Sequence, residues 1–268
     1  MFDPLTVSLI LLAAIIVGCL VVSIVTGNYS QVDRLWSITP PLYVGVFAAA
    51  ASFSDIRLDI MFALTLAWGT RLTWNFARKG GYKRGHEDYR WPALREKLKP
   101  WQFQAMNATF IAPYQNALLF AIALPAYPAW LARGTDLGWV DGLATALFVL
   151  LLAGETIADQ QQWNFQTDKY ARKDRGEKVE AEFLTTGLFR YSRHPNFFCE
   201  MSIWWSFYLF SVATTGDWVN PYVIGTALLT LLFQGSTPFT EKITLAKYPE
   251  YAEYQKRTSR LIPLPPRG

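Results

Sequence analysis

Residues 190–210 read RYSRHPNFFCEMSIWWSFYLF. The second half is apolar enough for lipid, yet Arg190, Arg193, His194, Asn196 and Glu200 crowd its entrance. Pro195 suits the first turn of a helix, where a missing N–H costs nothing. Asn196 and Glu200 then share one helical face, a turn apart. A helix amino terminus offers unpaired N–H groups and a dipole that favours anions. With two guanidiniums and an imidazole in front of it, this mouth reads as a phosphate seat facing a polar ligand.

The rest of the chain supplies the setting. Of its 268 residues 51% are hydrophobic and 17% charged, against about 25% charged in soluble domains. The apolar residues come in long runs rather than amphipathic stripes, which is the transmembrane pattern. The runs predict an all-α polytopic membrane bundle of seven spans, near 5–26, 38–54, 58–77, 103–131, 139–162, 197–214 and 219–236. The first run follows MFDP without the basic start of a signal peptide, so it reads as a span. Pro113, Pro125 and Pro128 predict that the fourth is kinked or split. Residues 1–268 read as one membrane domain, with no repeat or low-complexity tract.

Charge asymmetry orients it. Segments 27–37, 78–102, 163–196 and the tail from 237 hold 22 of the 25 Lys and Arg. The positive-inside rule then places the amino terminus outside and the carboxyl terminus in the cytoplasm, in a bacterial inner membrane or the endoplasmic reticulum. The net charge of +4 is accounted for by these loops, which leaves no case for nucleic acid. Nothing in the sequence points to an obligate protein partner. Cys19 and Cys199 fall in separate spans and suggest neither a metal site nor a disulfide.

Ionisable residues inside spans are costly, about 2.5–3.5 kcal/mol each at mid-span, and so are functional candidates. In WGTRLTWNFARKGGY (68–82), Arg71, Asn75 and Arg78 recur at i, i+4 and i+7 and make one polar face. In GETIADQQQW (154–163), Glu155 and Asp159 stack one turn apart with Gln162 beyond. Two such carboxylates repel unless a cation or a ligand's hydroxyl or amide donors sit against them. A snorkelling arginine and a helix end dipping into water are the plainer alternatives.

GLFRYSRHPNFFCE (187–200) resembles the hallmark segment of membrane-embedded NADPH-dependent reductases, the steroid 5-alpha-reductase family and the related sterol reductases. The tail EKITLAKYPEYAEYQKRTSRLIP (241–263) is similar to the sterol reductase ending at Glu241, Lys247, Tyr248, Tyr251 and Tyr254. NYSQVDRLWSITP (28–40) and GHEDYRW (85–91) look like a largely bacterial branch of that family, while 139–268 carries the sharpest motifs. The resemblance implies NADPH as cofactor. It implies a cofactor site at Arg71, Asp159, Asn196 and Glu200, with Arg193 and His194 at the phosphates and Glu241 as the tail's contribution. Asn75 and Arg78 extend the Arg71 face. It also implies a substrate end, for which Asp33, Tyr29 and Trp68 are the candidates. Cys199 stands where that family carries Gly, and Trp68 where it carries Tyr.

The expected chemistry is hydride transfer to an activated C=C bond of a steroid-like or other lipid enone, with a donor stabilising charge on the oxygen. For Asp33 to be that donor, burial must raise its pKa. The alternative is an S-adenosylmethionine-dependent membrane methyltransferase of the isoprenylcysteine or phospholipid methyltransferase type. That cofactor has no phosphate, so basic groups around the pocket discriminate between the two.

Overall fold

Asp3 starts the first helix by taking the Thr6 N–H and hydroxyl on one carboxylate oxygen, both at 2.9 Å, and Pro4 occupies the first turn. The result, in a computed structural model that describes residues 3–179 and 181–267, is α1 (Pro4–Thr26), ended by Gly27 in the left-handed region. After it come α2 (Gln31–Leu35), α3 (Thr39–Ala50), α4 (Ile56–Arg78), α5 (Arg90–Arg95) and α6 (Pro100–Met106). A π-helical segment (Asn107–Tyr114) leads into α7 (Gln115–Ala123) and α8 (Ala126–Leu131). Then come α9 (Trp139–Asp174), a 3₁₀ turn (Gly187–Arg190), α10 (Pro195–Thr215), α11 (Val223–Lys247) and α12 (Tyr251–Arg257). The described residues contain no β-strand, so the fold is all-helical, as the sequence predicts.

Among the described residues three helices, α1, α9 and α11, are long and apolar enough to cross a membrane, which marks the chain as a membrane protein. Of the seven predicted spans, those near 5–26, 139–162 and 219–236 fall on these three helices; the runs at 58–77 and 197–214 form α4 and α10, which are not among them, and the other two runs are cut short or divided. The run at 38–54 yields the 12-residue α3, which stops at Ala50, before Ser52 and Phe53 turn the chain through positive φ. The run at 103–131 is divided among α6, the π segment, α7 and α8, because Pro113 lacks the N–H a regular helix needs and Pro125 precedes a new start. The splitting was predicted; its extent was not. Helix α9 runs on to Asp174, past the predicted end at 162, with Arg172 and Asp168 paired at i, i+4 along its polar extension.

The chain divides into two compact units: residues up to Thr145 with Phe207–Leu228, and Ala146–Ser206 with the residues from Leu229. In the first, α3 and α4 pack through Gly69, whose added Cβ would stand 2.4 Å from the Ser37 carbonyl oxygen. Gly225 of α11 meets the Ala121 backbone of α7 equally closely. Arg57 and Asp141, both about 2% exposed, join the starts of α4 and α9 through hydrogen bonds of 2.8 and 3.1 Å. Helix α1 buries only Pro4, Ser8, Cys19 and Ser23 in its whole length, a seam of small residues that allows close helix approach. Its exposed residues, such as Ile10, Val17 and Val25, are apolar and suited to lipid.

Candidate functional site

The second unit holds the 187–200 segment, and the tail builds its surroundings. Gly187 takes φ 62° in contact with Gln161, whose side-chain oxygen accepts from Leu188 N at 2.9 Å. Residues 191–193 then run beside 259–264. Arg193 N donates to Ser259 O, Leu264 N to Tyr191 O, both at 2.9 Å, and Ser192 Oγ to Leu261 O at 2.7 Å. The Tyr254 hydroxyl donates to Phe189 O. Pro195 opens α10, as the sequence predicts.

Glu241 is the hub. It accepts from Arg193 Nε at 2.6 Å and Nη2 at 3.0 Å, from Gln255 Nε2 at 3.0 Å and from the Tyr251 hydroxyl at 3.4 Å. His194 Nε2 lies 3.0 Å from the same carboxylate, and the imidazole stacks on Phe197. Arg193 Nη1 adds bonds to the carbonyls of Gln255 and Thr258 at 3.0 and 2.5 Å. The sequence reading turned Arg193 and His194 toward phosphates; the structure turns both toward Glu241. The guanidinium's hydrogen bonds run to Glu241 and the tail backbone, which makes Arg193 a clamp between the α10 entrance and the tail. Burial raises the pKa of Tyr251 and Tyr254 above the ordinary phenol value, and the Glu241 charge adds to the effect at Tyr251.

One turn into the helices lies a second cluster. Asn196 Nδ2 of α10 donates to Asp159 Oδ1 of α9 at 3.3 Å. Gly154 faces Cys199, whose Sγ would stand 3.1 Å from an added Cβ. These two contacts set α9 and α10 antiparallel, so Glu155 comes level with Glu200. Glu155, Asp159 and Glu200 are each about 5% exposed or less. Trp204 Nε1 meets Glu200 Oε1 at 3.2 Å, giving that carboxylate a donor one turn along its own helix. Three buried carboxylates and an amide thus share one stretch of the α9–α10 contact, an arrangement suited to accepting hydroxyl and amide N–H donors.

The first unit carries the remaining candidates. Arg78 donates to Asn75 Oδ1 through Nε at 3.0 Å and Nη2 at 2.8 Å, so the polar face of α4 exists as predicted, with Arg71 one turn earlier. Asp33 accepts from Trp91 Nε1 at 2.9 Å and from Arg90 Nη2 at 3.3 Å, and Arg90 also pairs with Asp88. Burial, opposed by Arg90, raises its pKa. Its partners nevertheless make Asp33 a tether for the 88–91 loop. The Tyr29 hydroxyl accepts from Gln104 at 2.7 Å, and its ring sits with Trp91, Phe103 and Ile111 in an apolar cluster. Trp68 is fully enclosed.

Sequence reasoning missed Lys169. Its ammonium donates to Glu182 O at 2.8 Å and lies among the rings of Phe165, Tyr170 and Tyr248, holding the 182 region to α9. No spacing rule marks it, since its main partner comes from a loop 13 residues on.

Residues 19–258 match the family described as protein of unknown function (DUF1295). The chain belongs to that family. An uncharacterized protein of Schizosaccharomyces pombe is 38% identical over 256 residues, covering 90% of this chain and 74% of the relative. No solved structure matches. The match corrects the resemblance drawn from 187–200 and the tail: DUF1295 is distinct from the steroid 5-alpha-reductase family, and membership lies with the former.

Proposed function

We propose that this DUF1295 protein is a multi-pass membrane enzyme that binds NADPH at the α9–α10 stretch of Asp159, Asn196 and Glu200 and reduces an activated C=C bond of a lipid enone. The observation that carries this reading is the burial of three carboxylates, with Asn196 bonded to Asp159, within apolar helices. A helix that merely filled lipid would lose several kcal/mol by burying them. Carboxylates so placed suit ribose hydroxyls and a carboxamide. NADPH would supply the hydride, while the chain's part is to accept those donors, fix the ligand's orientation and keep water away. In this reading the basic loops face the cytoplasm and the amino terminus lies outside, by the charge asymmetry.

One observation favours a second reading. Arg193 and His194 both turn to Glu241, which removes two cations from the count that favoured a phosphate-bearing cofactor. An S-adenosylmethionine-dependent methyl transfer to a lipid fits that better. Membranes containing the protein, given NADPH deuterated at the transferable position in one arm and methyl-labelled S-adenosylmethionine in the other, separate the two. Deuterium in a lipid supports the reductase; methyl label in a lipid with no deuterium transfer overturns it.

A further inference from the structure

The first unit contains a polar junction that the proposed cofactor site does not use. Tyr43 of α3 is completely enclosed, and its hydroxyl has no hydrogen-bond partner among the described residues. The same holds for the Thr39 hydroxyl one turn earlier and for the side-chain oxygen of Asn116 on α7. Register brings the three together. Tyr43 packs edge-on against Phe120 with ring centroids 5.1 Å apart, and Phe47 lies 6.0 Å from Tyr127. Tyr127 belongs to α8, which follows α7, so the chain through α7 and α8 runs in the same direction as α3, and one turn before the Tyr43–Phe120 contact α3 carries Thr39 and α7 carries Asn116. Helix α1, which carries the buried Cys19, packs against both α3 and α7 and closes the junction from the third side.

Buried polar groups in proteins are almost always paired, and three orphans in one junction call for a ligand group. Their chemistry says which. Asn116 Nδ2 donates to the Ala112 carbonyl at 2.8 Å, which fixes the amide's orientation and leaves Oδ1 as a pure acceptor. A ligand here must therefore bring a donor; a ketone or ether oxygen would face Oδ1 with a second lone pair. The Tyr43 and Thr39 hydroxyls rotate and can donate to that same ligand oxygen. The group that both donates and accepts is a hydroxyl. Ile38 and Leu42, at neighbouring positions of α3, are exposed, so this stretch of α3 also carries an apolar outer face suited to lipid. The π segment Asn107–Tyr114 ends just before α7, and such segments gather at functional sites.

We propose that the α1–α3–α7 junction seats the hydroxyl group of a membrane lipid, with Asn116 Oδ1 accepting from it and Tyr43 and Thr39 donating to it. The seat discriminates alcohol from ketone. It does not depend on the identity of the cofactor.

Two matched probe sets test it on the purified full chain: cholestanol, cholestanone and cholestane, and hexadecanol, hexadecanone and hexadecane. Binding is read by thermal shift in detergent. One alcohol is expected to bind with a Kd about tenfold below its ketone's, as one ordinary hydrogen bond gives, with the hydrocarbon weaker still. Tyr43→Phe and Thr39→Val remove hydroxyls that have no protein partner, so ligand-free stability should hold or rise while the alcohol preference falls. Equal binding of alcohol and ketone, or a preference undiminished in Tyr43→Phe, overturns the proposal. So does the failure of both alcohols to bind, which would mean that the junction holds buried water only. Because none of the probes is an enone, a negative result here leaves the reductase reading standing.

Discussion

Arg193 and Glu241, 48 residues apart in the chain, meet through two parallel hydrogen bonds of 2.6 and 3.0 Å with both side chains less than a tenth exposed. The pair fastens the tail to the entrance of α10. Removing one partner of a buried pair strands the other charge and costs about 3–5 kcal/mol. Glu241→Gln should therefore lower thermal stability and open the tail to trypsin near Arg257 and Arg260. Breaking the exposed Lys256–Glu253 pair by Glu253→Gln should change neither. Equal protease resistance in Glu241→Gln and the parent would show that the clamp is not what holds the tail.

A second clamp lies in the other unit. Arg57 binds Asp141 and also the Thr135 hydroxyl and the Asp136 carbonyl, each of the latter at 2.8 Å. Arg57→Leu alone should cost about 3–5 kcal/mol, whereas Arg57→Leu with Asp141→Leu should recover most of the loss, because no uncompensated charge remains. Denaturation midpoints of the single and double variants decide it. A double variant as unstable as the single would contradict the account.

Alkaline pH should release the tail. Burial holds the folded-state pKa of Tyr251 and Tyr254 above the unfolded value. Their contribution is then fully present below about pH 10 and is lost as pH rises through the folded values. Tail protection against a protease, followed from pH 8 to 11, should fall only at the alkaline end, and later in Tyr251→Phe or Tyr254→Phe. Release near neutrality would contradict this.

Asp33 is a tether in the structure, so Asp33→Leu should loosen the segment that leads into α5. Loss of the acceptor for Trp91 Nε1 and Arg90 should cost about 1–3 kcal/mol. Asp33→Asn keeps an acceptor for Trp91 and should cost less. Trypsin cleavage near Arg84 and Arg90 reads the loosening. Near-normal turnover in Asp33→Asn would also remove this residue from any role as an acid.

Much of this arrangement was legible in the sequence because it is local. Apolar runs gave α1, α9 and α11, helical spacing gave the Asn75–Arg78 face and the Glu155–Asp159 stack, and Pro113 announced the break before α7. What escaped was long-range. Nothing near Arg193 shows that it pairs with Glu241, because that contact is made by how the tail folds back. The reach of α9 to Asp174 escaped for another reason: beyond 162 its residues are polar, and a hydropathy run stops where an amphipathic helix goes on. The Tyr43–Asn116 junction was hidden inside apolar runs, where a lone Tyr or Asn reads as packing.

The most direct test of the central claim is the thermal shift of the detergent-purified protein with NADPH and with S-adenosylmethionine, in the parent and in Asn196→Ala. A ligand that binds the folded state stabilises it by RT ln(1 + [L]/Kd), about 2.7 kcal/mol at one hundred times Kd. The account expects NADPH to raise the melting temperature of the parent, the rise to vanish in Asn196→Ala, and S-adenosylmethionine to have no effect. A shift with S-adenosylmethionine and none with NADPH would contradict it.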